Sequence, residues 1–244
     1  MLEIIVPVNS NSIGKADIED MEKFLLPYIR KGTNLNFETL KYGFGSIETE
    51  LQGMFNGAQT VMRYIKVPAD CRGVMVDCFD DPGVYACREI GSVPVVGPYQ
   101  AAISTALNLA ERIGVITTDK AGITNEEKKA RELGIAGRIV SIRALDTSVD
   151  DIRANREEIL EALVDTCTKM VNEDRVSAIC LGCTAMFYIY EELQQKLAAA
   201  GVKVNIIEPF LNGVLALENM VIMGHSNFIP GTVDFSSLVW EQKE

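Results

Sequence analysis

Two cysteines stand where the chain makes a thiol useful. Cys183 follows a short apolar run, residues 176–181, and Gly182; Thr184 and an amphipathic stretch over 185–198 come after it. That order predicts a strand, a tight turn carrying the thiol, and a helix. Unpaired N–H groups at a helix start favour an anion and help lower a thiol's pKa, so an activated thiol is expected here. Cys78 closes another apolar run, residues 73–78, ahead of Phe79, Asp80, Asp81 and Pro82. A lone nucleophile of this kind would suggest acyl transfer. A matched pair across one small cleft suits a different task. One thiolate removes the proton from a carbon beside a carbonyl, and a thiol on the opposite face returns one, inverting the centre. Such a symmetric task calls for acid and base groups of similar character. It also calls for donors aimed at the enolate-like oxygen, and Thr184, Thr117, Thr118, Ser46 and the N–H groups after Cys78 are the candidates.

Both thiols can face one cleft only if the elements around them repeat. Residues 2–8, 35–42, 73–78 and 93–96 read as strands, with helical spacing at Ile18, Met21, Leu25, Tyr28 and Ile29 and over 46–65. Ser46 is the expected N-cap of that second helix, and Asp81 and Pro82 the expected N-cap and first position of the next. The pattern then restarts. Strands at 113–117, 138–145, 176–181 and 203–207 alternate with helices at 100–112, 124–133, 152–171, 185–198 and 209–223. Alternation of this kind means an α/β fold with mainly parallel sheets. In each half a strand ends in a polar loop (Asn9 to Ser12, then Thr117 to Asp119), and a later strand ends at a cysteine. Ligands of open parallel sheets bind beyond the carboxyl ends of the strands.

The 244 residues leave room for one large domain or two small ones. A net charge of −11 argues against nucleic acid or an anionic membrane as partner. No apolar run reaches the roughly 18 residues that span a bilayer, and the first residues read as a strand rather than a signal peptide. A cytoplasmic location, with a small-molecule substrate and assembly into a homo-oligomer, is the expectation. Cys180 and Cys183 form a C-x-x-C, but there is no second pair and His225 is the one histidine, so no metal is expected.

Several segments resemble the aspartate/glutamate/hydantoin racemase superfamily, most closely its hydantoin racemase branch. They are Gly45-Ser46-Ile47-Glu48, then Asp77-Cys78-Phe79-Asp80-Asp81-Pro82-Gly83, then Ala86-Cys87-Arg88-Glu89. Further matches are Pro94-Val95-Val96-Gly97 with Ala101 and Ala102, Val115-Ile116-Thr117-Thr118, and Gly182-Cys183-Thr184-Ala185-Met186. The Gly-Cys-Thr segment is closer to the amino-acid racemases, although their His-Tyr-Pro continuation is absent. The resemblance implies two similar α/β subdomains, residues 1–97 plus 208–244 and residues 98–207, related by a pseudo-twofold axis with the site between them. It implies no cofactor, with Cys78 and Cys183 as opposed acid and base. It places Asn9, Asn11, Ser46, Ile47, Phe79, Asp80, Thr117, Thr118 and Thr184 along the pocket. The expected reaction is inversion of an α-carbon in a 5-substituted hydantoin, allantoin or related amino-acid derivative. An aspartate/glutamate-type racemase, an arylmalonate-type decarboxylase and a non-catalytic sensor on the same scaffold stay open as rivals.

Other residues have plainer readings. Cys71, Cys87, Cys167 and Cys180 are expected in the core. Asp80 and Asp81 read first as loop and cap residues, and Glu208 with Pro209 as a strand end and helix start. His225 reads as solvated, and the run from Glu126 to Glu132 as a solvated helix face.

Overall fold

The computed structural model of the chain describes residues 1–91 and 93–227. The elements run β1 (Leu2–Asn9), α1 (Lys15–Leu25), β2 (Leu35–Leu40), α2 (Glu50–Tyr64), β3 (Val74–Val76), α3 (Val84–Ile90) and β4 (Val95–Val96). They continue as α4 (Pro98–Leu109), β5 (Ile113–Thr117), α5 (Lys120–Glu132), β6 (Ile139–Ala144), α6 (Val149–Ala154) and α7 (Arg156–Asp174). β7 (Ala178–Leu181), a 3₁₀ segment Thr184–Ile189, α8 (Tyr190–Ala199), β8 (Asn205–Ile207) and α9 (Pro209–Ile222) complete it.

The strands form two parallel sheets with the same permutation, β2-β1-β3-β4 and β6-β5-β7-β8. Each sheet is sandwiched, which is why its strands are continuous apolar runs rather than alternating ones. In the first, Ile4 and Met75 face α1 and α9, while Ile5, Val74 and Val76 face the side of α2 and α3. In the second, Val115 and Cys180 face α4 and α5, and Ile116, Ile179 and Leu181 face α7 and α8. The order of each sheet reverses between its two central strands. Helices leave toward opposite faces there, and the loops at the carboxyl ends part to leave a crevice. Cys78 stands beyond the end of β3 and Cys183 beyond the end of β7, the equivalent positions of the two sheets.

Four local expectations need correction. The N-cap of α2 is Thr49, not Ser46. Thr49 Oγ1 accepts from Gln52 N at 3.3 Å, and Gln52 Oε1 accepts from Thr49 N at 3.0 Å, a reciprocal capping box. Residues 46–49 are therefore a loop. α3 starts at Val84, behind Gly83 with φ 79°, and Asp81 has φ 50°. Asp81 caps a different helix: its carboxylate accepts from Tyr99 N at 2.9 Å and Gln100 N at 3.3 Å, at the start of α4. The helix expected over 152–171 breaks at Asn155, whose ψ of 43° ends α6 and begins α7. The stretch after Cys183 opens as a 3₁₀ segment before becoming α8. Cys71, Cys87, Cys167 and Cys180 are buried, and His225 is exposed.

Candidate active site

A cavity of about 860 Å³ lies between the two halves at the carboxyl ends of the strands. Cys78, Phe79, Asp80, Ser46, Ile47, Thr117, Thr118, Cys183 and Thr184 all line it. Asn9 and Asn11 do not. Asn9 holds its own loop, donating to Gly43 O at 3.0 Å and accepting from Asn11 N at 3.0 Å, while Asn11 is exposed. Their neighbours Ser12 and Ile13 line the cavity instead.

Backbone fixes both thiols. Gly182 N donates to Ile116 O at 2.6 Å, and a Cβ at Gly182 would sit 2.5 Å from that same oxygen. Only glycine lets β7 close so tightly on β5 before Cys183 turns into the 3₁₀ segment. On the other side, Cys78 N donates to Val76 O at 2.9 Å and Asp81 N to Cys78 O at 3.0 Å. A Cβ at Gly83 would meet Gly57 O at 2.6 Å, so the turn after Cys78 lies flat against α2. Each thiol has a backbone N–H two residues on that favours its charged form, Asp80 N for Cys78 and Ala185 N for Cys183.

Those N–H groups do not outweigh the surroundings. Burial, with Asp80 and Cys183 adding to it, pushes the Cys78 thiol well up against opposition from Lys129. Burial and the carboxylates of Asp77, Asp80 and Glu48 push Cys183 up to about 12. The direction is opposite to the lowering expected at a helix start: burial and the surrounding carboxylates favour the neutral thiol at both positions. Their thiolates, once formed, are correspondingly strong bases.

Several cavity residues were not foreseen. Asp77, 8% exposed, has Oδ1 without a hydrogen-bond partner and is pushed up to about 7 by burial, the Thr184 hydroxyl opposing. Glu48 Oε1 accepts from Val149 N at 2.9 Å and ties the 46–49 loop to α6 across the cleft. Asp17 on α1 pairs with Arg153 on α6 and accepts from Tyr188 Oη at 3.3 Å. Glu126 and Lys129 of α5, expected on a solvated face, line the cavity instead, Glu126 buried and Lys129 partly so. The cue lay in spacing: Ile123, Glu126 and Ala130 recur at i, i+3 and i+7, and Glu126 and Ala130 share the buried face. Among the described residues lining the cavity, Lys128 and Lys129 are the cations. Both are paired, Lys128 with Glu50 at 3.2 Å and Lys129 with Asp80 at 2.8 Å and Glu126 at 2.6 Å.

The family model for Asp/Glu/Hydantoin racemase matches residues 31–217. The chain belongs to that family. It is 32% identical over 146 residues to a hydantoin racemase of Rhizobium meliloti, covering 60% of this chain and 57% of that protein. It is 31% identical over 150 residues to a hydantoin racemase of Pseudomonas sp. (strain NS671), covering 62% of this chain and 58% of that one. The matches thus span less than three fifths of either curated relative. Among solved structures, the allantoin racemase from Klebsiella pneumoniae superposes with a TM-score of 0.85 at 22% identity, over 98% of this chain and 96% of that one. That likeness shows the same two-subdomain α/β fold.

Proposed function

We propose that the protein is a cofactor-independent racemase that inverts the α-carbon of a neutral cyclic ureide, a 5-substituted hydantoin or allantoin, or of a related amino-acid derivative. Cys78 and Cys183 act as opposed acid and base. The observation that carries the reading is the equivalence of the two thiols: the same position at the reversal point of two sheets of identical strand order, opening on one cavity. A substrate held with its α-carbon between them loses a proton to one thiolate and gains one from the other thiol. The negative charge that develops on the carbonyl oxygen finds the Thr184, Thr117 and Thr118 hydroxyls and the turn N–H groups as donors. Ser46, Ile47, Phe79 and Asp80 shape the remaining wall. Asn9 and Asn11 act on this wall through the loop they brace.

The charge of the cavity favours the ureide over its rivals. Its carboxylates outnumber its cations, and the two lysines are already paired. An aspartate, a glutamate or a disubstituted malonate would bring one or two further carboxylates into a negative cleft with no unpaired lysine to receive them. A neutral ring meets no such penalty. The second thiol also sets the chain apart from a decarboxylase that protonates one face only, and from a sensor, which needs neither thiol.

Assignment of residues 1–97 plus 208–244 to one subdomain and 98–207 to the other belongs to the same reading. Sheet membership and the packing of α9 on β3 and β4 support it; residues 228–244 lie outside the described residues. So does a homo-oligomeric, cytoplasmic enzyme. The exposed Leu51, Met54 and Phe55 on α2 support self-association, which light scattering tests. No helix among the described residues is long and apolar enough to cross a membrane.

The test of function is loss of optical rotation of a single-enantiomer 5-substituted hydantoin or allantoin in D₂O, with deuterium appearing at the α-carbon. Racemisation that persists in both Cys78→Ser and Cys183→Ser would defeat the mechanism. Turnover of aspartate or glutamate in preference to the ureides would defeat the substrate class.

A further inference from the structure

Lys129 belongs to α5, in the second half, yet its ammonium is committed to the first. It lies 3.1 Å from Phe79 O and 2.8 Å from Asp80 Oδ1, with Glu126 Oε1 at 2.6 Å on its own helix. Its Nζ sits over the rings of Phe79, at 4.8 Å, and Tyr99, at 4.3 Å. Asn125 Nδ2 reaches the same Asp80 oxygen at 2.8 Å. The Lys129 side chain is 12% exposed. A buried ammonium with three oxygen partners and two aromatic faces holds a fixed position.

The chemistry lies in which oxygen it holds. Phe79 C=O and Asp80 N–H belong to one peptide unit, planar and trans, so the two groups point in opposite directions. Asp80 N–H is the donor that favours the charged form of the Cys78 thiol. A cation bound to the carbonyl end therefore aims the N–H end, and polarises it as a donor. We propose that Lys129 is a positioning residue for Cys78, fixing from across the cleft the peptide between Phe79 and Asp80, which lies inside the turn that Asp81 N closes on Cys78 O.

The groups facing the Cys78 thiol are Asp80, Cys183 and Lys129. Glu126, Asp80 and Tyr99 face Lys129 in turn, while Asp81 is turned to the start of α4. Burial alone would pull the Lys129 ammonium down; Glu126 and Asp80 outweigh it and keep it charged. Glu126 Oε1 thus helps hold the cation in place.

The inference concerns the thiol itself, and rests on the proposed function only for its kinetic consequence. The experiment is alkylation of the full-length chain by iodoacetamide between pH 7 and 10, with Cys78 and Cys183 read separately by peptide mass spectrometry. Wild type is compared with Lys129→Met, Lys129→Arg and the double variant Glu126→Gln/Lys129→Met. The double variant removes both buried charges together and so keeps the test open where the single change unfolds the chain. Loss of the cation slows Cys78 alkylation at pH 8 by about tenfold, one unit of thiol pKa, and leaves Cys183 nearly unchanged. Lys129→Arg, which keeps the charge, recovers most of the rate. In the racemase assay kcat falls with it while KM holds. An unchanged Cys78 profile in a folded variant lacking Lys129, or equal slowing of both thiols, overturns the proposal. Failure of the wild type to racemise any ureide would overturn the functional reading alone, because the alkylation result does not depend on it.

Discussion

The turn at Cys78 and the turn at Cys183 each carry a thiol into the cavity, by different means. Cys183 stands directly before a 3₁₀ segment, and its donor, Ala185 N–H, comes from that segment. Its position needs little more than Gly182 and the close approach of β5. Cys78 has no helix at hand, since α3 starts only at Val84. Its turn is assembled from a left-handed Asp81, a left-handed Gly83 against α2, and a lysine from the opposite half. Both turns meet the other half, but at different points: the first within the turn itself, where Lys129 reaches Phe79 O, the second only in the segment after it, where Phe187 packs on Phe24 and Phe210 and Tyr188 reaches Asp17. Equivalent positions in two sheets do not require similar scaffolding, and the turn without a helix start is the one that a cation reaches.

The most severe break of the symmetry is removal of one thiol. Cys78→Ser and Cys183→Ser should each cost on the order of 10²–10⁴-fold in racemisation. They should also differ in a telling way, because each remaining thiol reaches one face only. Each variant should keep slow α-deuterium exchange on one enantiomer, and the two variants should keep it on opposite ones; NMR of each pure enantiomer in D₂O reads this directly.

The two glycines give the next largest contrast. Gly182→Ala places a methyl group against backbone at Ile116 O, which no rotamer can relieve. Its Cys183 should alkylate abnormally while Cys78 keeps its profile. Gly83→Ala, at φ 79° and against Gly57 O, should do the reverse. Each should lower the thermal midpoint by several degrees. Matching perturbation of both thiols by either change would erase the distinction.

The pH dependence tests what the halves share. With both thiols pushed up, the thiolate fraction grows about tenfold per pH unit, so kcat/KM should rise with a slope near one between pH 6.5 and 8. A plateau there would mean that a thiolate is already formed in the free enzyme. Stability should run the other way. Asp77 is raised to about 7 in the folded chain, so the folded state binds the proton more tightly than the unfolded one. The contribution is full below about pH 4 and is lost as pH rises toward 7. Asp77→Asn, which mimics the protonated form, should raise the thermal midpoint at pH 8 and leave it unchanged at acid pH.

The smallest effect is expected at the helix caps. Thr49→Ala removes the N-cap of α2 and should cost about 1 kcal/mol, seen as a small drop in the denaturant midpoint with little change in alkylation at either thiol.

Sequence alone carried the architecture because buried parallel strands are continuous apolar runs, and because both halves place a cysteine after the same strand. It carried Thr117, Thr118 and Thr184 into the cleft for the same reason. It failed where a side chain's partner is distant along the chain. Asp81-Pro82 looks like a helix start, yet Asp81 serves α4, whose N–H groups come 18 residues later. Lys129 sits in a charged run that reads as solvated, and its partners in the first half are 49 and 50 residues away. Ser46 has the residue type of an N-cap, but Thr49 with Gln52 three residues on is the better local signal. The resemblance puts Asn9 and Asn11 at the pocket, but Asn9 turns its side chain to Gly43 O and Asn11 N within its own loop, which local sequence does not reveal.

The packing of α9 has a consequence for how the protein comes to exist. The first sheet is made wholly from residues 2–96, but one of its faces is covered by Phe210, Leu211, Val214 and Leu217. On the ribosome the early strands are finished long before their cover is made. The second sheet, contiguous over 113–207, can close around its own helices first. The Cys78 turn lies at the end of a strand of that uncovered sheet and is then among the last features to settle during synthesis. A chain stalled short of α9 would lack the cover of its first sheet and also Phe210, against which Phe187 beyond the Cys183 turn packs, leaving both thiol turns unsupported.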